Sequence, residues 1–152
     1  MIYAKIIMVF LTFSLSVSCI PAYAIGSAEK PSDRAYATVN FFDKNGKGIV
    51  SSTTSIQKMT DNDDKTHYRS IRGVDHGEIV IDLYQQRDIN RIYIQEAASV
   101  ITKFELALSQ DNREWNTVHS GATIGGYGRT YSFDVLPARF VKLKIISTDN
   151  TF

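Results

Sequence analysis

The chain has 152 residues with 17 basic and 16 acidic side chains, so its formal net charge at pH 7 is +1. No basic run exceeds two residues. Binding a nucleic-acid backbone needs clustered lysines and arginines, so we exclude a nucleic-acid partner.

The N-terminal 24 residues have the pattern of a secretory signal peptide. Lys5 is their only charged residue, Ile6–Val17 is an apolar run broken only by Thr and Ser, and Ala22–Ala24 is a small-x-small cleavage sequence. The apolar run is shorter than the roughly 20 residues that a membrane-spanning helix needs. We therefore expect cleavage after Ala24 and a secreted or periplasmic protein. A lipoprotein attached through Cys19 is the alternative.

Cleavage changes the chemistry of the chain that remains. Cys19 is the only cysteine, so its removal leaves no disulfide and no thiol nucleophile, and the protein must be held together by core packing or a metal. Removal of Lys5 leaves equal numbers of basic and acidic residues, and hence a formal charge of zero. We expect residues 25–34 to be a leader and residues 35–152 to form one folded domain.

Beyond the leader, apolar and polar residues alternate in short segments, which predicts β-strands with one buried face. The first predicted strand is Ala35–Phe42, closed by the glycine-rich turn Asp43–Gly48. The later predicted strands are 79–84, 91–95, 103–108, 130–135 and 141–145. No window of about a dozen residues carries a helical stripe, so we predict an all-β sandwich or barrel. Its predicted core includes Phe104, Leu106, Leu108, Trp115, Phe133, Val141 and Leu143.

Oxygen-bearing side chains are concentrated in the segment Asp61–Tyr68. Asp61, Asp63 and Thr66 are spaced so that one tight loop could turn their oxygens onto a single point. Such a loop suits a hard cation, for which Ca²⁺ is the usual candidate. Asp and Asn are also common turn formers, so an exposed acidic turn is the alternative.

Four segments, in this order, resemble the F5/8 type C, or discoidin, family. Asp61–Tyr68 is similar to the family's Asp-Gly-Asp…Thr-x-Trp loop, and Ile79–Leu83 to its Ile-Asp-Leu strand. Ser109–Trp115 is similar to its Ser-x-Asp-Gly-x-x-Trp hairpin, and Ala138–Leu143 to its Ala-Arg-Tyr-Val-Arg-Leu strand. The resemblance implies a jelly-roll β-sandwich of the galactose-binding type.

The chain departs from the family pattern at two points. Tyr68 stands in the place of a tryptophan that packs under the loop, and its large ring fills most of that space. The chain stops at Phe152, so we expect it to lack the last family strand and the glutamate that this strand contributes to the metal. The resemblance still implies a structural Ca²⁺ bound by Asp61, Asp63 and Thr66, with the carbonyl of Lys58 as a further ligand.

Two further segments, Ile94–Glu96 and Ser120–Gly125, resemble the discoidin-like modules found C-terminal to bacterial α-L-fucosidases. The resemblance covers none of the catalytic barrel of such enzymes, so it implies a non-catalytic module that binds a glycan or glycoprotein. Galactose- and fucose-containing glycans are the expected ligands, bound by loops at one end of the sandwich. The candidate contact residues are Tyr68, Arg69, Arg72, His76, Glu96, Tyr127 and Arg129.

Other functions find less support in the sequence. Nothing resembles a nucleophile elbow, and the three histidines, His67, His76 and His119, include no closely spaced pair that would suit zinc. Val100 and Ile101 are the only apolar residues in the loop that some relatives insert into membranes, so membrane binding is not expected. Because fold does not determine function, a protein-interaction or adhesion module is the alternative.

Overall fold

The computed structural model describes residues 3–7, 35–49, 56–60, 66–70, 73–96, 99–125 and 128–149. Within these residues the secondary structure is β, apart from a 3-10 turn at Gln57–Met59. No helix in the described part of the chain has the length and apolarity to cross a membrane. The strands are β1 (Tyr3–Ile7), β2 (Tyr36–Phe42), β3 (Gly48–Ile49), β4 (Tyr68–Arg69), β5 (His76–Glu96), β6 (Ile101–Ser109), β7 (Asn116–Gly121) and β8 (Arg129–Thr148).

All strand pairings are antiparallel, and the main path of the sheet runs β3-β2-β5-β8-β6-β7. β5 and β8 pair with each other along both of their halves, with a register shift between Asp82 and Arg87. Ile79 before this shift and Ile92 after it are buried in the same core cluster. The sheet therefore folds over one core as two layers, which confirms the predicted all-β jelly-roll sandwich.

Asp82 stabilises the bend of β5. Its Oδ1 accepts a hydrogen bond of 2.7 Å from the backbone N–H of Tyr84, whose φ of 62° breaks the extended conformation. Across the bend, Arg139 of β8 donates to both carboxylate oxygens at 2.9 Å. This bidentate pair lowers the pKa of Asp82, so the carboxylate stays charged at neutral pH.

The two long strands differ from the segments that the sequence predicts. The predicted strands 79–84 and 91–95 are the two halves of β5, and 130–135 and 141–145 are the two halves of β8. Pairing between β5 and β8 resumes after two register shifts, between Asp82 and Arg87 and between Ile89 and Arg91, so the two halves of each strand remain one element. Alternation is lost there, so the sequence pattern resembles a loop.

Five of the seven predicted core residues are fully buried, and they are Phe104, Leu106, Leu108, Val141 and Leu143. Trp115 and Phe133 are only partly buried. Phe133 lies in the first half of β8, which pairs with β5 alone among the described strands. In the same segment Val135 is 56% exposed, so the apolar side of this part of β8 is only partly covered, and the prediction that Phe133 is a buried core residue is wrong.

The predicted turn after the first strand is confirmed. Asp43 accepts hydrogen bonds on Oδ1 from the backbone N–H groups of Asn45 (2.8 Å) and Lys47 (2.9 Å). These two bonds close the turn and lower the pKa of Asp43. Gly46 has a φ of 77°, a conformation that favours glycine. The turn lets β3 pair with the end of β2.

The N-terminal strand β1 lies within the segment expected to be the signal peptide. It pairs with Tyr93–Glu96 of β5 and with Tyr68–Arg69 of β4. Cleavage after Ala24 would remove β1 and leave the backbone groups of both partners unpaired along this edge. The signal peptide itself stays a prediction.

Candidate functional site

Strand pairing brings the predicted ligand loops to one end of the sandwich. His76 pairs with Phe42 at the start of β5, and the second half of β5 ends at Glu96. Arg129 pairs with Ile94 at the start of β8, while Ile101 pairs with Thr148 at its end. We call this end, defined by His76, Glu96, Ile101 and Arg129, the loop end.

Glu96 supports the loop end from inside. Its side chain is 0% exposed, and Oε1 accepts hydrogen bonds from the backbone N–H groups of Val100 (2.6 Å) and Ile101 (2.8 Å). Burial raises the pKa of Glu96, against the opposing effect of these two bonds. Oε2 is buried and has no partner among the described residues. The expected solvent-facing carboxylate is thus a buried support of the loop before β6, so a direct glycan contact from Glu96 is not supported.

Tyr68 is also an internal residue. Its ring is fully buried, and its centroid lies 6.2 Å from that of Phe41 in a stacked arrangement. The burial agrees with the expectation that this ring fills a packed position where the family has tryptophan. A buried ring presents no face to a sugar, so the structure does not support Tyr68 as a contact residue.

His76 and Arg129 remain accessible at the loop end. The His76 side chain is 42% exposed, and its ring stacks on Phe42 at a centroid distance of 5.4 Å. Its Nδ1 lies 3.1 Å from Asp75 Oδ2, which holds the ring orientation. Arg129 is exposed at the first position of β8. An imidazole held by stacking and an exposed guanidinium both suit hydrogen bonds to sugar hydroxyls.

Three other candidate contact residues are not tested. Arg72 and Tyr127 lie outside the described residues, and only the backbone of Arg69 is described. They stay predictions. Val100 and Ile101, the apolar residues of the neighbouring loop, are both buried, so neither is presented at the surface.

An aromatic cluster beside Arg129 was missed from the sequence. Tyr131 packs against His119, with centroids 4.5 Å apart, and against Phe104 at 5.5 Å.

Gly128 has a φ of 73°, and a Cβ there would overlap the hydroxyl of Tyr93. The glycine-rich segment before β8 was the available sequence signal for the close approach of Tyr93 to Gly128, because a glycine is required where an aromatic side chain approaches the backbone.

The expected calcium loop is described only at its flanks. Lys58 is exposed in the 3-10 turn and Thr66 is partly buried, whereas Asp61 and Asp63 lie outside the described residues. The turn before the loop is attached to the sheet, because the Gln57 amide pairs with both backbone groups of Ala37. The calcium site stays a prediction.

Comparison with known proteins identifies the family. The F5/8 type C domain model matches residues 42–152. Among solved structures, a labelled variant of chitosan-binding module 1 from a Paenibacillus sp. IK-5 chitosanase/glucanase has a TM-score of 0.59 and 21% identity, covering 74% of this chain and 81% of that one. Chitosan-binding module 2 of the same enzyme, in complex with chitotriose, has a TM-score of 0.56 and 24% identity, covering 60% and 73%.

A third solved structure, the Clostridium perfringens module CpGH89CBM32-5 in complex with GalNAc-β-1,3-galactose, has a TM-score of 0.54 and 21% identity, covering 76% of this chain and 86% of that one. Among curated proteins, none matches the chain. At these identities the solved structures establish the shared fold. The family model, by contrast, covers well over half of the sequence, and the chain therefore belongs to the F5/8 type C domain family.

Proposed function

We propose that this protein is a non-catalytic carbohydrate-binding module that recognises galactose- or fucose-type glycans at the loop end. The observation that carries the proposal is the fold. A chain of the F5/8 type C family has the same sandwich as modules that were solved with chitotriose and with GalNAc-β-1,3-galactose. The comparison supports glycan binding in general, and the choice of galactose or fucose rests on the sequence resemblance.

Hydrogen bonds connect the described segments of the loop end. Thr148 Oγ1 donates to the carbonyl of Val74 at 2.9 Å, and the N–H of Asp149 donates to the carbonyl of Val100 at 2.7 Å. Together with the two bonds to Glu96, these contacts join the C-terminal end of β8 to the segments before β5 and β6. A pre-ordered surface loses little entropy when a ligand binds, which favours weak ligands such as sugars.

We expect glycan binding to depend on Arg129 and Tyr127. A neutral oligosaccharide of the galactose or fucose type should shift amide NMR signals at the loop end, with a dissociation constant nearer 1 mM than 1 nM, or about −4 kcal/mol at 1 mM. Arg129→Ala and Tyr127→Ala should each weaken binding about tenfold, the effect expected from losing one hydrogen-bonding or stacking group of about 1.4 kcal/mol.

Arg113→Ala is the matched control, since Arg113 is an exposed arginine at the opposite end of the sandwich. Binding that is unchanged in both loop-end variants would place the site elsewhere. If no glycan binds and a protein partner is captured instead, the interaction-module alternative replaces the proposal.

We also propose a structural Ca²⁺ bound by Asp61, Asp63 and Thr66, with the Lys58 carbonyl as a further ligand. The ion would tie the acidic loop to the turn that Gln57 anchors on β2, and it would perform no chemistry. A ligand that binds only the native state raises stability by mass action. We expect Ca²⁺ to raise the melting temperature relative to EDTA in the wild type and not in Asp61→Ala. The same melting temperature with Ca²⁺ and EDTA in the wild type would reduce the segment to an acidic turn.

Export is the remaining part of the proposal, with Ile25 as the first residue of the mature protein. N-terminal sequencing of the exported protein should begin at Ile25. A lipid-modified N-terminus at Cys19 would instead identify a lipoprotein.

A further inference from the structure

A second concave surface lies at the end of the sandwich opposite the loop end. The pairs Ile101–Thr148 and Phe104–Gly121 lie toward the loop end, whereas Ser109–Phe140 and Leu108–Asn116 lie at the far ends of the same strands. There the β6–β7 connection and the bend of β8 enclose an open pocket of about 660 Å³. We call it the Trp115 pocket; its lining includes Asp111, Glu114, Trp115, Asn116, Leu136 and Pro137. Ligand pockets have volumes of roughly 300–1,000 Å³.

The acidic wall of the Trp115 pocket is held by its own turn. Asp111 Oδ1 accepts hydrogen bonds from the backbone N–H groups of Arg113 (2.9 Å) and Glu114 (3.0 Å). Ser109 Oγ accepts from the N–H groups of Asp111 (3.2 Å) and Asn112 (2.9 Å). The wall is therefore formed before any ligand arrives.

Trp115 is held in place by a cation. Lys142 Nζ lies 3.9 Å from the centre of the indole ring, and it also lies 3.3 Å from a carboxylate oxygen of Glu78. This cation–π contact occupies one face of the indole ring. Trp115 lines the pocket together with the apolar residues Leu136 and Pro137. This surface suits the C–H face of a sugar ring.

The charged side chains among the lining residues, Asp111 and Glu114, are both acidic. The N–H bonds of the turn lower the pKa of Asp111, so this carboxylate is negative at neutral pH. A ligand that matches the pocket must therefore combine a positive charge with an apolar ring face, and its hydroxyls can bond to the amide of Asn116. A sugar with a free amino group has all three features.

From this combination we propose that the Trp115 pocket is a second binding site, separate from the loop end, for a cationic amino sugar such as a glucosamine oligomer. The ammonium group pairs with the carboxylates, and the ring face lies on Trp115 and Pro137. Binding at the Trp115 pocket is independent of which glycan the loop end binds, because no residue is shared between the two surfaces.

The test uses the fluorescence of Trp115, which is the only tryptophan in the chain. Titration of the protein with chitotriose should change the emission, whereas fully N-acetylated chitotriose, which has lost the positive charge, should bind about tenfold more weakly or worse. Raising the salt concentration should weaken chitotriose binding, since an exposed charge pair is screened.

Glu114→Gln is the decisive variant. It removes one pocket charge but keeps the backbone bonds of the turn, and we expect it to weaken chitotriose binding about tenfold. Glu105→Gln is the matched control, because Glu105 pairs with Lys144 outside the pocket. Arg129→Ala should leave the Trp115 response unchanged. Equal binding of the acetylated and free oligomers, an unaltered affinity in Glu114→Gln, or no change in Trp115 emission at millimolar chitotriose would each overturn the proposal.

Discussion

Replacing Leu106 by alanine is expected to lower the free energy of unfolding by about 2–5 kcal/mol. Leu106 is 0% exposed and lies in β6 between its two partners, opposite His119 of β7 and Leu143 of β8. Truncation removes apolar contacts in the middle of the core and leaves a cavity that the paired strands cannot close. Urea or thermal unfolding of the protein measures the change.

Val135→Ala is the matched control, because Val135 is an apolar strand residue that is 56% exposed. It should change the stability by about 0.5 kcal/mol or less. Phe133→Ala should have an intermediate effect, since Phe133 packs against the core and is only partly buried. If Leu106→Ala and Val135→Ala are equally stable, the strand register described above is wrong.

Replacement of Glu96 by alanine is expected to have the second large effect. The backbone N–H groups of Val100 and Ile101 would lose their acceptor inside the protein, and each buried unsatisfied group costs about 1–3 kcal/mol. Glu96→Gln keeps an amide oxygen that can accept both bonds, so it should retain most of the stability. The difference between the unfolding free energies of the two variants measures the contribution of the two hydrogen bonds separately from that of the charge.

The charge of Glu96 should appear in the pH dependence of stability. Burial raises its pKa in the folded state above the unfolded value, so the folded protein binds more protons between the two values. The stability from this group is present below the unfolded pKa and is lost as pH rises through the folded pKa. Glu96→Gln cannot titrate, so the fall in stability over this window should disappear. An identical pH profile in Glu96→Gln and wild type would contradict a raised pKa.

Asp82 should give the opposite pH dependence of stability from Glu96. Its pairing with Arg139 lowers its folded pKa, so its contribution is present above the unfolded pKa and is lost as pH falls through the folded value. Asp82→Asn should therefore lose stability at neutral pH and little under strongly acidic conditions. The two carboxylates should thus be separable by their opposite pH profiles.

The sequence predicted where the candidate site lies better than it predicted which side chains are exposed there. His76 and Arg129 lie accessible at one end of the sandwich, as expected. Tyr68 and Glu96 lie beneath that surface instead. Alternation along a strand predicts which residues share a face, but it does not predict whether a second layer or a loop covers that face. Glu96 ends a strand, and only the chain returning at Val100 and Ile101 supplies the N–H groups that allow a carboxylate to be buried.

The sequence alone determined that the protein is an all-β domain of the F5/8 type C family, because strand periodicity and the order of short motifs are properties of local segments. It also determined most of the core, since five predicted residues alternate along β6 and β8. Tertiary structure decided that four predicted segments form two bent strands, since the Asp82–Arg139 pair that spans the bend joins residues far apart in the chain. It likewise decided the Trp115 pocket, whose walls come from the β6–β7 connection and the bend of β8. Contacts between distant segments form only when the two layers meet, so no local pattern encodes them.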